Sequence, residues 1–171
     1  MITAKHKDQR IAVLIDVQNL YHSAKNLYQA RANFRAILKL AVSDRKLIRA
    51  FAYVIKTKSG EEKAFFEALI KLGIETRVKE LQEFYGGFKK GDWDVGIAVD
   101  AIRISPSVDT IVLASGDGDF IQLVEYLKNQ GKRVEMIAFG RSSSAKLKEV
   151  VDEFADLGKS PRKYLLKIIK K

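Results

Sequence analysis

The chain has no cysteine, and only two histidines and two prolines among its 171 residues. Without thiols, disulfide frameworks, cysteine nucleophiles and thiolate zinc sites are all excluded. His6 stands in a polar leader, so a multi-histidine zinc site is excluded as well, and any metal must rest on carboxylates. No apolar run approaches the roughly 20 residues of a membrane span, and Met1 to Arg10 holds no signal-peptide stretch. The expected location is therefore the cytoplasm. Internal repeats and low-complexity segments are also absent.

What is present is globular composition, with enough apolar residues for one domain to bury a core unaided. The formal charge of +10 favours polyanionic partners, because each phosphate contacted releases counterions. Six of those charges lie in the last stretch: Lys159, Arg162, Lys163, Lys167, Lys170 and Lys171, with no acid among them. The expected layout is a polar leader over 1–10, a domain over 11–157, and a basic amphipathic tail or helix over 158–171. Lys5, Lys7 and Arg10 read as solvated. Tyr164 to Lys171 reads as a helix docked on the domain, with RNA, an acidic partner or a membrane surface as other uses.

Ile11 to Ile15 is continuously apolar, as a parallel strand covered on both faces should be. Helical spacing follows over Leu20–Leu27 and Phe34–Leu40, and Leu47–Ile55 reads as a second strand. Ser59 with Glu62 resembles a capping box for a helix closing at Gly73. Ile74–Leu81 reads as a third strand, Tyr85–Gly91 as a loop, and Trp93 to about Ile104 as a helix ended by Pro106. Thr110–Ala114 and Val134–Phe139 are two more strands, separated by a helix that carries Phe120, Leu123, Val124 and Leu127. This alternation predicts a three-layer α/β fold with a mostly parallel sheet and helices on both faces.

In such folds the reactive crevice lies beyond the carboxyl ends of the strands. Asp16 ends the first strand, and Asp117 and Asp119 follow the fourth. If those strands are neighbours, three carboxylates share one rim, and their repulsion calls for a hard divalent cation, Mg²⁺ or Mn²⁺. Helix capping is the competing explanation for single acids, but two caps need only one acid each. Asp94 lies near the start of the fourth helix, with Asp92 as its possible cap. Asp100, six residues further on, sits roughly 120° around the helix. Asp94 therefore ranks above Asp100, which is left as a supporting or phosphate-side residue.

The strings Ile15-Asp16-Val17-Gln18-Asn19-Leu20, Asp94-Val95-Gly96-Ile97-Ala98-Val99-Asp100-Ala101 and Ser115-Gly116-Asp117-Gly118-Asp119-Phe120 resemble the three acidic motifs of the NYN family, the PIN-like branch that contains the LabA-like bacterial proteins. The resemblance runs from about Ile11 to Leu157. It implies a PIN-like fold and an active site similar to those of metal-dependent ribonucleases. It carries the family's acids onto Asp16, Asp94, Asp117 and Asp119, and its asparagine onto Asn19. Ser144 and Asp152-Glu153-Phe154 resemble the family's closing helix and last strand. The family often shows Lys-Gly, one residue, then Asp, whereas here Lys90-Gly91-Asp92-Trp93-Asp94 has one more, so Asp92 competes with Asp94.

The resemblance implies RNA hydrolysis, on single-stranded or structured RNA, while the residues themselves leave RNA and DNA open. Asp16, Asp117 and Asp119 hold one ion, Asp94 completes or bridges a second, and Asn19 and Ser115 orient a ligand, a water or a phosphate oxygen. Phe84, Tyr85, Phe88 and Trp93, interleaved with Lys89 and Lys90, form a pattern for stacking unpaired bases and contacting the backbone; core filling by the aromatics is the alternative. Homo-oligomer formation stays open. A haloacid-dehalogenase-type phosphotransferase usually wants a second acid where Gln18 stands, and no glycine fingerprint for a dinucleotide opens the first helix. The serious rival is a catalytically silent RNA-binding or regulatory module with the same fold.

Overall fold

A computed structural model describes residues 5–87 and 89–167. In chain order the elements begin β1 (Arg10–Asp16), α1 (Val17–Tyr28), β2 (Ala30–Ala32), α2 (Phe34–Val42), β3 (Lys46–Lys56), α3 (Lys63–Lys71) and β4 (Glu75–Glu80). A short hairpin, β5 (Gln82–Glu83) with β6 (Lys89–Lys90), leads into α4 (Asp94–Ile104) and β7 (Thr110–Ala114). The chain continues through α5 (Ile121–Asn129), β8 (Arg133–Ala138), α6 (Ala145–Val150), β9 (Glu153–Asp156), α7 (Pro161–Tyr164) and β10 (Leu165–Lys167).

Six strands form one sheet in the order β4-β3-β1-β7-β8-β9, and every neighbouring pair is parallel. The period-two alternation of each strand sorts its apolar residues into two cores. Ile11, Val13 and Ile15 lie under α1, α2 and α3 with Leu20, Ile37 and Leu69. Ala12, Leu14, Phe51 and Tyr53 lie under α4, α5 and α6 with Ile97, Val124 and Leu147. The result is the expected three-layer α/β arrangement. From β1 the sheet grows outward through β3 and β4, and from β7 through β8 and β9, so the order reverses between β1 and β7. That switch point opens a crevice at their carboxyl ends.

Three local expectations change. Glu62 Oε1 accepts from the Thr57 amide at 3.3 Å and from the Thr57 hydroxyl, while Ser59 Oγ pairs with Thr57 Oγ1, so no capping box closes α3. The terminal helix stops at Tyr164. Leu165–Lys167 instead pair antiparallel with Ala32–Ala30, because β2 offers a free edge there. Residues 168–171 lie outside the described residues. The leader is not merely solvated: Gln9 is buried, Lys5 Nζ lies 2.7 Å from Glu153 Oε1, and the Arg10 guanidinium donates to Asp109 at 2.8 Å.

Candidate metal centre

β1 remains apolar through Ile15 and delivers Asp16 to the carboxyl edge, where the chain turns directly into α1. Asp16 Oδ1 accepts from the Asn19 amide at 3.2 Å and so caps that helix. Its Oδ2 accepts from the Ser115 hydroxyl at 2.9 Å. Ser115, fully buried just after β7, also accepts from the Asp117 amide at 3.3 Å. Asn19 Oδ1 returns the connection by accepting from the Gly116 amide at 2.9 Å. These bonds tie the turns after β1 and β7 into one unit. Burial pushes the Asp16 carboxyl above its usual range, against the Asn19 amide and the Ser115 hydroxyl, and the charge of Asp117 adds to the rise.

The acid loop is held from outside by the loop after β8. The Ser144 amide donates to the Gly116 carbonyl at 2.9 Å. A Cβ on Gly116 would lie 2.3 Å from Ser143 Oγ and 3.0 Å from Ser143 Cα, so this approach needs glycine. Asp117 Oδ1 accepts from the Asp119 amide at 2.9 Å and opens a single 3₁₀ turn over Gly118–Phe120.

Asp94 arrives from the other side as the first residue of α4. One carboxylate oxygen each from Asp94, Asp117 and Asp119 lie within 4.8 Å of one another. The Asp94 carboxyl is pushed up to about 6, first by burial and then by the charges of Asp117, Asp92, Asp16 and Asp119. Hard oxygen donors crowded at this spacing suit a hard divalent cation, and this acidic triad can bind a metal ion. An open groove of about 350 Å³ between α4 and α5 begins at Asp94 and Asp119 and continues over Ala98, Ile102, Leu123 and Tyr126.

The structure redistributes the other expected site residues. Asp16 stands beside the triad but outside it, its oxygens engaged by Ser115 and Asn19. Asp92 is exposed and outside the triad too; its carbonyl accepts from Lys79 Nζ at 3.0 Å. Asp100 belongs to another cluster. It accepts from the Tyr53 hydroxyl at 2.9 Å, with Arg77 Nε at 3.4 Å and Arg103 at 3.8 Å, because 120° of helix rotation aims it at β3 and β4. Burial and the Asp100 charge push the Tyr53 phenol above its usual range, so it stays a donor.

Of the expected base-stacking set, Trp93 is committed to packing. Its Nε1 donates to the Val54 carbonyl at 2.9 Å, and its ring meets Tyr53 at 5.4 Å and Lys79 Nζ at 4.4 Å. Phe84 and Tyr85 are exposed. Phe88 lies outside the described residues, and of Lys89 and Lys90 only the strand is described. Sequence reading overlooked Lys79 and Arg77, whose signal was their alternation along a strand.

Comparison with known proteins places this geometry among relatives. The NYN domain model matches residues 10–158. The chain is 26% identical to the low amplitude and bright protein LabA of Synechococcus elongatus over 162 residues, 88% of this chain and 85% of that protein. It is also 26% identical to an uncharacterized protein of Methanocaldococcus jannaschii, covering 88% of this chain and 56% of that one. The crystal structure of VPA0982, a protein of unknown function from Vibrio parahaemolyticus, superposes with a TM-score of 0.85 at 33% identity, covering 96% of this chain and all of that chain. Among the described residues no helix is long and apolar enough to cross a membrane.

Proposed function

Because the chain belongs to the NYN domain family, within the PIN-like nuclease superfamily, we propose that it is a metal-dependent ribonuclease hydrolysing RNA phosphodiester bonds at the Asp94–Asp117–Asp119 triad. The observation that carries this reading is the convergence of those three carboxylates at the switch point of a parallel sheet. Asp94, Asp117 and Asp119 would hold Mg²⁺ or Mn²⁺, which supplies Lewis-acid activation of water and neutralises charge on the phosphoryl oxygens. Asp16 and Asn19 act as positioning residues. Together with Ser115 they hold the acid loop against the end of β1, so the triad is assembled before substrate arrives. Phe84 and Tyr85 present exposed ring faces to unpaired bases.

The test incubates the full chain with labelled single-stranded and hairpin RNA in Mg²⁺ or Mn²⁺, with EDTA and Asp117→Asn as controls and DNA in parallel. Asparagine keeps the oxygen that caps the Asp119 amide, so the substitution removes charge and leaves the turn. Cleavage is expected from the wild type with metal alone. Cleavage that persists in EDTA or in Asp117→Asn would mark a contaminant, and binding without any cleavage would favour the silent module.

A further inference from the structure

Between the edge strand β4 and helix α4 lies a second groove, separate from the acid triad. In-register pairing sets Phe51 beside Glu75 and Tyr53 beside Arg77. Phe51 and Tyr53 belong to the core beneath α4, so Glu75, Arg77 and Lys79 are on the α4 side of the sheet as well. Nothing pairs with the outer edge of β4 among the described residues. A cavity of about 260 Å³ lies there, lined by Arg49, Phe51, Arg77, Asp100, Arg103 and Ile104.

The lining is cationic and ordered. The guanidinium of Arg49 lies 4.4 Å from the centre of the Phe51 ring, and that of Arg77 lies 5.1 Å from it. At one end Lys79 covers Trp93 at 4.4 Å and donates to the carbonyl of Asp92, two residues before Asp94. Arg103 on α4 stands nine residues beyond Asp94, roughly 14 Å down the helix. Among the described residues two carboxylates pair with these four cations: Glu75, which grips Arg49 at 2.6 and 2.8 Å, and Asp100. The Arg103 side chain is 77% exposed and only 3.8 Å from Asp100, which leaves most of its donors to solvent. Exposed pairs of this kind contribute little stability, so folding alone does not explain why cations outnumber acids here.

We propose that the α4–β4 groove is a phosphate track, in which Arg49, Arg77, Lys79 and Arg103 bind the sugar-phosphate backbone of the RNA strand whose scissile bond lies at the acid triad. The inference rests on the nuclease reading of that triad. Charge complementarity selects the ligand: guanidiniums held over Phe51 at 4.4 and 5.1 Å offer donors suited to phosphate oxygens, and the Lys79 end of the track adjoins the start of α4, where Asp94 stands.

The test measures anisotropy of 5′-labelled single-stranded RNA on the full chain in EDTA, across a salt series. Arg103→Gln and Arg77→Gln should each weaken binding by about tenfold. Each should also reduce the slope of log affinity against log salt by about 0.7, the share of one phosphate on a single strand. Arg103 is exposed, so its substitution tests the track even if Arg77→Gln unfolds. Unchanged affinity and slope in Arg103→Gln and in a folded double variant would overturn the proposal, as would weakened binding of labelled polyglutamate with RNA binding intact. Binding is read without metal and cleavage with it, so the two readings fail separately. Weakened binding with no cleavage by the wild type leaves the track and removes the nuclease, whereas cleavage with unweakened binding does the reverse.

Discussion

At Asp16 a strand-end acid is divided between two structural bonds, capping α1 with one oxygen and receiving Ser115 with the other. Removing the hydroxyl with Ser115→Ala frees that second oxygen and loosens the Asp117 amide. If the triad depends on this support, the metal concentration needed for half-maximal cleavage should rise roughly 10- to 100-fold, alongside a stability loss of about 1–3 kcal/mol because a buried carboxylate oxygen loses its donor. An unchanged metal dependence would make Ser115 a packing residue only. Asp94 makes a prediction of opposite kind. Its folded carboxyl titrates near 6, above the ordinary 3.8, so its contribution to stability is full below the ordinary value and is lost as pH rises through about 6. The metal-free protein in EDTA should therefore melt lower at pH 7 than at pH 5, and Asp94→Asn should shrink that difference. Equal pH dependence in the two proteins would show that the crowding does not act on Asp94. That Asp16, Asp94, Asp117 and Asp119 would meet near one rim was legible from strand-end position and motif order. Which of them would point inward was not, because side-chain direction depends on partners such as Ser115 that lie 99 residues away.

Among the elements, the long ones were legible and the short ones were not. Thr110–Ala114 is a continuous apolar run whose boundaries can be read directly, since every residue in it is buried. The pair β2 and β10 has three residues on each side and no pattern of its own; each is a strand only because the other lies beside it. The same holds for the Gln82–Glu83 and Lys89–Lys90 hairpin. The Ser59–Glu62 spacing signalled a cap, yet Thr57 competed successfully for both side chains. The loop after β7 depends on a neighbour too. Gly116→Ala would drive a methyl group into the Ser143 backbone, and we expect a loss of about 1–3 kcal/mol in urea unfolding, together with reduced cleavage. Wild-type stability in that variant would mean that the loop after β8 yields easily.

For the molecule as a whole, the amino end of the sheet is closed by charge. Arg45 and Glu135 are almost completely enclosed, at 0% and 4% side-chain exposure, and meet through two bonds of 2.9 Å. Burial works against the Glu135 carboxylate, but Arg45 and Arg133 outweigh it and hold its titration below the usual range. Arg45→Met removes a partner from a buried charge, and the loss should be about 3 kcal/mol by urea unfolding, near the lower end for such pairs because Arg133 and Lys5 remain. A loss below 1 kcal/mol would show that those two suffice. The sequence by itself determined the layered α/β fold, the supply of carboxylates rather than thiols as candidate metal donors and the net positive charge, since apolar periodicity, absent thiols and net charge are properties of the chain read in one dimension. Tertiary structure alone decided that Asp16 stands outside the set of three carboxylates that meet within 4.8 Å, that Asp100 answers Arg77 and Tyr53, and that Trp93 packs inward beneath Lys79. Each of those outcomes depends on which side chains meet across the sheet, and distance along a chain does not encode distance in space.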